Sequence, residues 1–336
     1  GLDDLKTEDP RVVGGFIDIY GAWIDRFKVD GFRIDTAKHV NPEFWTAFAP
    51  AMIERAKANG IPNFHIFAEI AVGDFEPETS QVWTHISGLP TTLDFAFRKA
   101  VELVIAKGQS PAIFSRLFAA DALYKGGEAT TLRTPTFVSN HDLARFAYFA
   151  RQAFPDESMA DTLKRVELAN ALLFIARGVP VVYSGDEQGF VGHGDDQAAR
   201  QDMFASRVAS YNDQALLGTG ATTAQANFNP AHPLYQQIGM LSGLRRQYPA
   251  LRRGRQVLHN YDEAPGLLAI SRTGADSPDV LAVFNTSTHA ISANVETDPK
   301  TMTFVALSGN CPAAPRMPGS LAISLPPLSY MICVAK

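Results

Sequence analysis

VDGFRID, residues 29–35, decides the fold: it is a short apolar run ending in an acid, with helical periodicity on both sides. Before it, segment 11–27 places Phe16, Tyr20, Trp23 and Phe27 on one face at helical spacing. After it, a second helical pattern covers Pro42 to Asn59 and closes at Gly60, and the strand HIFAE follows at 65–69. The rhythm repeats with expected strands at Thr92–Phe97, Thr136–Asn140 and Val179–Ser184. The last of these follows a helix over Leu163–Arg177, with Gly178 at its C-cap. Alternation of this kind, five strand-plus-helix units long, predicts a parallel α/β fold.

Two further segments complete the layout. Residues 186–232 are rich in Gly, Asp, Gln and Asn without a period, which reads as a functional loop over a site. Pro233–Tyr248 reads as a last helix. From about Leu251 the texture changes to short alternating stretches (LLAISR, VLAVFN, MTFVAL, LAISLP) separated by turn residues, which predicts a small antiparallel β domain. The expected division is 1–250 for the α/β part and 251–336 for the β domain.

At 336 residues the chain is long enough for one large unit and a smaller companion. With 46% hydrophobic and 19% charged residues and no long apolar run, neither disorder nor a membrane span is expected. Thirty Lys+Arg against 35 Asp+Glu, scattered along the chain, argue against nucleic acid as a partner. An uncharged ligand such as a glycan fits this balance. Cys311 and Cys333 are the only cysteines, and neither sits in a metal or redox spacing. One disulfide and two buried thiols are both open readings.

Three expected strands end in acids as the chain turns into a loop: Asp35, Glu69 and, after FVSNH, Asp142. In a parallel barrel the C-terminal strand ends share one face, so these carboxylates are expected to converge. Taken singly, each would read as a helix cap or loop stabiliser; as a set they suggest acid/base and nucleophilic chemistry. Arg33, two residues before Asp35, falls on the same face of its strand and is placed to hold that charge.

In their order, GFRIDTAKH (31–39), FAEI (67–70), FVSNHD (137–142) and GVPVVYSGDE (178–187) resemble the ordered motifs of the α-amylase family of (β/α)8 glycoside hydrolases. GLDDL (1–5) resembles that family's short motif before the fourth strand. The likeness runs over residues 1 to about 250. It implies a TIM barrel of which strands four to eight are present here, the preceding part lying outside the sequence, followed by a small antiparallel β-sandwich domain.

The resemblance also implies roles. Asp35 would be the nucleophile of a retaining double displacement, Glu69 the acid/base and Asp142 the third carboxylate, binding sugar hydroxyls. Arg33, Lys38, His39, His141 and Tyr183 would contact or position the substrate, an α-glucan such as starch. Trp83 and Phe190 read as core. Asp4 and the backbone carbonyl of His39 would help hold a structural Ca2+, an oxygen set that suits a hard cation; Asp3 stands where the family carries Pro. Asp195, Asp196 and Asp202 read as a solvated acidic turn. The family's members include α-glucosidases and transglycosidases, and a non-catalytic carbohydrate-binding scaffold is the reading from another class. Because polymeric starch does not cross membranes, a secreted or periplasmic setting is expected.

Overall fold

In the computed structural model, residues 4–194, 196–274 and 276–336 are described. The first three residues of GLDDL, and Asp195 of the acidic turn, lie outside them. The elements run α1 (Pro10–Phe27), β1 (Gly31–Ile34), α2 (Pro42–Ala58), β2 (His65–Ala68), α3 (Pro77–Ile86) and β3 (Thr91–Thr92). There follow α4 (Phe95–Val101), α5 (Ile113–Ala119), α6 (Glu128–Thr131), β4 (Pro135–Thr136), α7 (Phe146–Ala153), α8 (Met159–Ile175) and β5 (Val179–Pro180). α9 (Ala209–Asn212), α10 (Pro233–Gln247) and α11 (Ala250–Arg253) precede the C-terminal strands.

The chain divides into two compact units: residues up to Ala96 with Ala119–Pro135, and Phe97–Phe118 with Thr136–Lys336. In the first, α1 starts where its chemistry favours a start. The Asp9 side chain accepts from the Arg11 N–H at 2.9 Å, and Pro10 occupies a position whose N–H needs no partner. β1, β2 and β3 form a parallel sheet in that order, with Gly31 opposite His65 and Ile34 opposite Ala68. Gly31 is required there, because a Cβ would stand 2.2 Å from the His65 carbonyl oxygen. Ile24, Phe44, Phe48, Met52, Ile66 and Ile70 form the core of this unit, and Trp83 packs against it.

Apolar surface is nevertheless left on this unit. Ile19, Trp23 and Phe27 of α1 are more than half exposed. Beside them a cavity of about 300 Å³ is lined by Phe16, Tyr20, Phe32, Phe44 and Phe48, among others. β1 is the end strand of its sheet among the described residues.

The expected strand at Thr92–Phe97 is corrected. Only Thr91–Thr92 is strand, and the apolar run that follows begins α4. Phe95, Ala96 and Phe97 are buried, and Arg98 and Glu102 are buried with them as an ion pair, so no exposed face marks where the helix begins. The strands expected at 136–140 and 179–184 shorten to β4 and β5, with the Val181 N–H reaching the Thr136 carbonyl at 2.8 Å. α8 ends at Ile175, earlier than expected, because Ala176 turns extended. Gly178 stands beyond the cap at φ +105°.

In the second unit, five strands pair antiparallel in the order β10 (Phe304–Ser308), β12 (Ser329–Ala335), β8 (Val280–Asn285), β7 (Leu267–Thr273) and β6 (Arg255–Tyr261). β9 (Ile291–Glu296) and β11 (Ser320–Leu325) pair separately. Side chains from both sheets, including Leu281, Val283, Val295, Leu321 and Met331, make one core. β11 alternates as the sequence suggests, whereas β7 and β8 are buried almost throughout. Their second face is covered too: buried Arg272 of β7 donates to the carbonyls of Ile175, Leu251 and Gly254 at 2.8 to 3.1 Å. Cys311 and Cys333 form a disulfide, the reading the spacing left open. No helix among the described residues is long and apolar enough to cross a membrane.

Candidate active site

Parallel register carries Asp35 and Glu69 to the same end of neighbouring strands. Each follows its strand's last residue, and the Glu69 N–H donates to the Ile34 carbonyl at 2.7 Å. Arg33, one pleat earlier, bridges the two acids: its Nη1 bonds Asp35 Oδ1, and its Nη2 bonds Glu69 Oε2 at 2.9 Å. The sequence expectation that Arg33 holds the Asp35 charge is met, and the same guanidinium also holds Glu69. The two carboxylates differ in surroundings. The Asp35 side chain is 64% exposed, whereas residue Glu69 is 7% exposed.

The turn after Asp35 is shaped to serve Glu69. Thr36 adopts φ +47°, a left-handed conformation costing a β-branched residue about 1–2 kcal/mol. Its N–H lies 3.3 Å from Glu69 Oε2, and its carbonyl accepts the His39 N–H at 2.9 Å. The Ala37 N–H donates to the Glu69 carbonyl at 3.1 Å. Strained backbone of this kind is concentrated at active sites. Lys38 extends along the same turn and donates from Nζ to the Ala71 carbonyl at 2.6 Å, while His39 is exposed.

Asp142 belongs to the second unit, six residues beyond β4. Asn140 fixes it: its Oδ1 accepts the N–H groups of Asp142 at 3.1 Å and Leu143 at 2.8 Å, a side-chain-closed turn. Asp142 Oδ2 lies 3.1 Å from His141 Nε2, and its Oδ1 3.2 Å from Arg200 Nη2. Arg200 also donates from Nε to the His141 carbonyl at 2.9 Å and pairs with Asp196 at 2.5 Å. The loop expected over a site thus supplies a cation to the third carboxylate.

A buried clamp lies just behind. Fully buried Arg145 donates to Gln201 Oε1 at 3.0 Å, Asp186 Oδ1 at 2.7 Å and the Ser184 carbonyl at 3.0 Å. Its guanidinium carbon stands 4.4 Å from the Tyr183 ring centroid and 5.1 Å from that of buried Phe190. Gly185 permits this packing: it sits at φ +97°, and a Cβ there would be 2.5 Å from the Phe190 ring. Burial pushes the Asp186 carboxyl above the usual carboxylate range, against the pull of Arg145. Burial likewise raises the Tyr183 phenol, whose hydroxyl donates to the Ala199 carbonyl at 3.1 Å. Tyr183 is thereby part of the clamp.

The residues singled out by sequence therefore fall into two groups: Arg33, Asp35, Glu69 and the Lys38 turn in one unit, and His141, Asp142 and Tyr183 in the other. Sequence reasoning missed Arg200 and Arg145. Arg145 carried a usable signal, a cation three residues past Asp142; Arg200 lay in a loop whose partners no local pattern reveals. Among the described residues no group of three His, Cys, Asp or Glu side chains is placed to hold a metal ion. Asp4 and the His39 carbonyl offer two oxygens against the six to eight that Ca2+ takes, so no chemistry is routed through a cation here.

The family model for the α-amylase catalytic domain matches residues 1–254. An α-amylase of Streptomyces lividans is 41% identical over 312 residues, covering 92% of this chain and 34% of that protein. A cyclomaltodextrin glucanotransferase of Bacillus licheniformis is 31% identical over 216 residues, covering 63% of this chain and 27% of that protein. Among solved structures, an Anoxybacillus α-amylase superposes with a TM-score of 0.78 at 23% identity, over all of this chain and 65% of that one. The α-amylase of Geobacillus thermoleovorans, solved with acarbose, gives a TM-score of 0.78 at 22% identity, over 100% of this chain and 66% of that one. This chain thus spans about a third of the Streptomyces protein's length and just under two thirds of these two structures.

Proposed function

The chain belongs to the α-amylase family, and on that footing we propose that it carries the catalytic machinery of a retaining glycoside hydrolase cleaving α-1,4-glucosidic bonds in starch-like α-glucans. The observation that carries this reading is the Asp35–Arg33–Glu69 bridge. Two carboxylates held on the two nitrogens of one guanidinium are the close pair that double displacement needs. Exposed Asp35 attacks the anomeric carbon as nucleophile. Largely buried Glu69 protonates the leaving oxygen and then takes a proton from the attacking water. Asp142 and His141 bind hydroxyls of the sugar that becomes positively charged, and the Lys38–His39 turn meets the leaving-group side.

The fold reading is a (β/α)8 barrel in residues 1–250, to which β1–β5 contribute strands four to eight, with an antiparallel β-sandwich in 251–336. The remaining barrel strands would then pair with the free edge of β1 and cover the apolar face of α1. Exposed Val179 of β5 and Val181 just after it support an open edge there as well. Ca2+ held by Asp4 and the His39 carbonyl, and a secreted or periplasmic setting, belong to the same proposal.

The likeness to a glucanotransferase keeps a second reading, in which an acceptor sugar replaces water at the glycosyl intermediate. Digesting starch with the intact protein and following the products tests both readings. Sugars first released as the α-anomer support retention, and an inverted first product would overturn it. Linear maltooligosaccharides indicate hydrolysis, whereas cyclic or lengthened products indicate transfer. Expressing residues 1–336 alone tests the barrel reading: aggregation or inactivity is expected, and a fully active monomer would refute it.

A further inference from the structure

The turn that leads into Arg200 is braced by side chains from elsewhere in the chain. Asp196–Ala199 is one tight 3-10 turn that opens on a left-handed residue, Asp196 at φ +45°. Two phenols hold it. The Tyr183 hydroxyl donates to the Ala199 carbonyl at 3.1 Å, and the Tyr211 hydroxyl donates to the Gln197 carbonyl at 2.5 Å. The same Gln197 oxygen accepts the Arg200 N–H at 3.1 Å, so both of its lone pairs are engaged. The Ala199–Arg200 peptide is therefore held on its oxygen by Tyr183 and on its nitrogen by a carbonyl that Tyr211 fixes.

Tyr211 is itself anchored. It belongs to α9, whose Asn212 donates from Nδ2 to the Ser206 carbonyl at 3.1 Å and accepts the hydroxyl of buried Thr223 at 2.8 Å. The Ser206 N–H in turn donates to the Thr223 carbonyl at 2.8 Å. Burial is the main cause of the raised Tyr183 phenol, and Arg200 and Tyr211 both stand near enough to act on it, so the three polar groups share one locality.

An exposed ion pair is ordinarily worth little, because ordering two free side chains offsets the attraction. Arg200 escapes part of that cost. Its backbone is already fixed where its half-exposed side chain meets Asp142 Oδ1, Asp196 Oδ1 and the His141 carbonyl. We propose that Tyr211 is a positioning residue of the active site, setting Arg200 through the Gln197 carbonyl and, through Arg200, the direction of the Asp142 carboxylate. The inference rests on the reading of Asp142 as the third carboxylate and adds a residue that touches neither that acid nor the sugar.

The test uses the intact protein with Tyr211→Phe, Arg200→Ala and the two combined. Phenylalanine keeps the ring and removes only the hydroxyl, so the thermal midpoint should stay within about 2 °C of wild type. On starch, Tyr211→Phe should lower kcat by about three- to tenfold with KM little changed, because Asp142 acts on the sugar as it becomes charged. In the Arg200→Ala background the same substitution should cost less than about twofold. Equal losses in the two backgrounds, or wild-type kcat in Tyr211→Phe, would overturn the proposal. Trypsin cleavage after Arg200, followed by mass spectrometry, reads the brace without turnover: it should be faster in Tyr211→Phe, and an unchanged rate would also overturn the proposal. If the wild-type protein turns over no α-glucan yet Tyr211→Phe speeds that cleavage, the functional reading fails and the brace on Arg200 stands.

Discussion

Replacing Arg145 with Met removes the one cation of a buried cluster while keeping most of its volume. Three hydrogen bonds end, to Gln201, Asp186 and the Ser184 carbonyl, and Asp186 is left buried without its counter-charge. Removing one member of a buried pair typically costs about 3–5 kcal/mol. At about 2.1 cal/mol/K per residue, a cooperative unit of 336 residues unfolds with an entropy near 0.7 kcal/mol/K. The thermal midpoint of Arg145→Met should therefore fall by roughly 4–7 °C, read by calorimetry. Removing both charges, Arg145→Met with Asp186→Leu, should cost less than Arg145→Met alone, because no isolated charge remains.

The same cluster gives a pH signature. Asp186 has a folded-state pKa raised above its unfolded value near 3.9. A group of this kind favours the folded state fully below that unfolded value, and the contribution is lost as pH rises through the raised folded value. Asp186→Leu should flatten that decline. A midpoint within about 1 °C of wild type for Arg145→Met, or a double variant as costly as the two singles added, would refute the clamp.

Three further outcomes follow from the site and the β domain. Glu69→Gln should abolish turnover of natural glucans, a cost of several kcal/mol in barrier, while substrates with good leaving groups keep part of the first step; near wild-type starch hydrolysis would remove Glu69 from its role. A chelator should lower the thermal midpoint and added Ca2+ restore it by mass action, and a midpoint indifferent to both would count against the Asp4–His39 site. Opening the Cys311–Cys333 link, which spans 22 residues, with Cys311→Ser should cost about 3 kcal/mol, measured as a lower denaturant midpoint.

The legible parts of this protein were those where local pattern and global fold agree. β1 and β2 announce themselves as short apolar runs between helices, and an acid directly after each implies carboxylates at one end of a parallel pair. Arg33 was legible for the same reason, since a two-residue spacing on a strand fixes the face. A helix was expected after the strand at Thr92–Phe97, but the start of α4 was misplaced, because buried Phe95, Ala96 and Phe97 read equally well as the end of a strand. β7 and β8 were misjudged in their burial: alternation was expected of strands that α8, α11 and the second sheet cover on both faces. Arg145 was missed because its partners lie 39 to 56 residues away in sequence, and Arg200 because His141 and Asp142 lie 59 and 58 residues away, pairings set by tertiary structure. The cysteines illustrate the limit plainly: spacing allowed a bridge, and only proximity decides one.

The central claim is that Asp35 bonds covalently to the sugar. Incubating the intact protein with an activated fluorinated α-glucosyl donor, whose intermediate forms faster than it hydrolyses, should leave one glycosyl group per molecule. Peptide mass spectrometry should place it on Asp35 within GFRIDTAKH, with no labelling after Asp35→Asn. An adduct on Glu69, Asp142 or any other residue, or steady hydrolysis of starch by Asp35→Asn, would contradict the account.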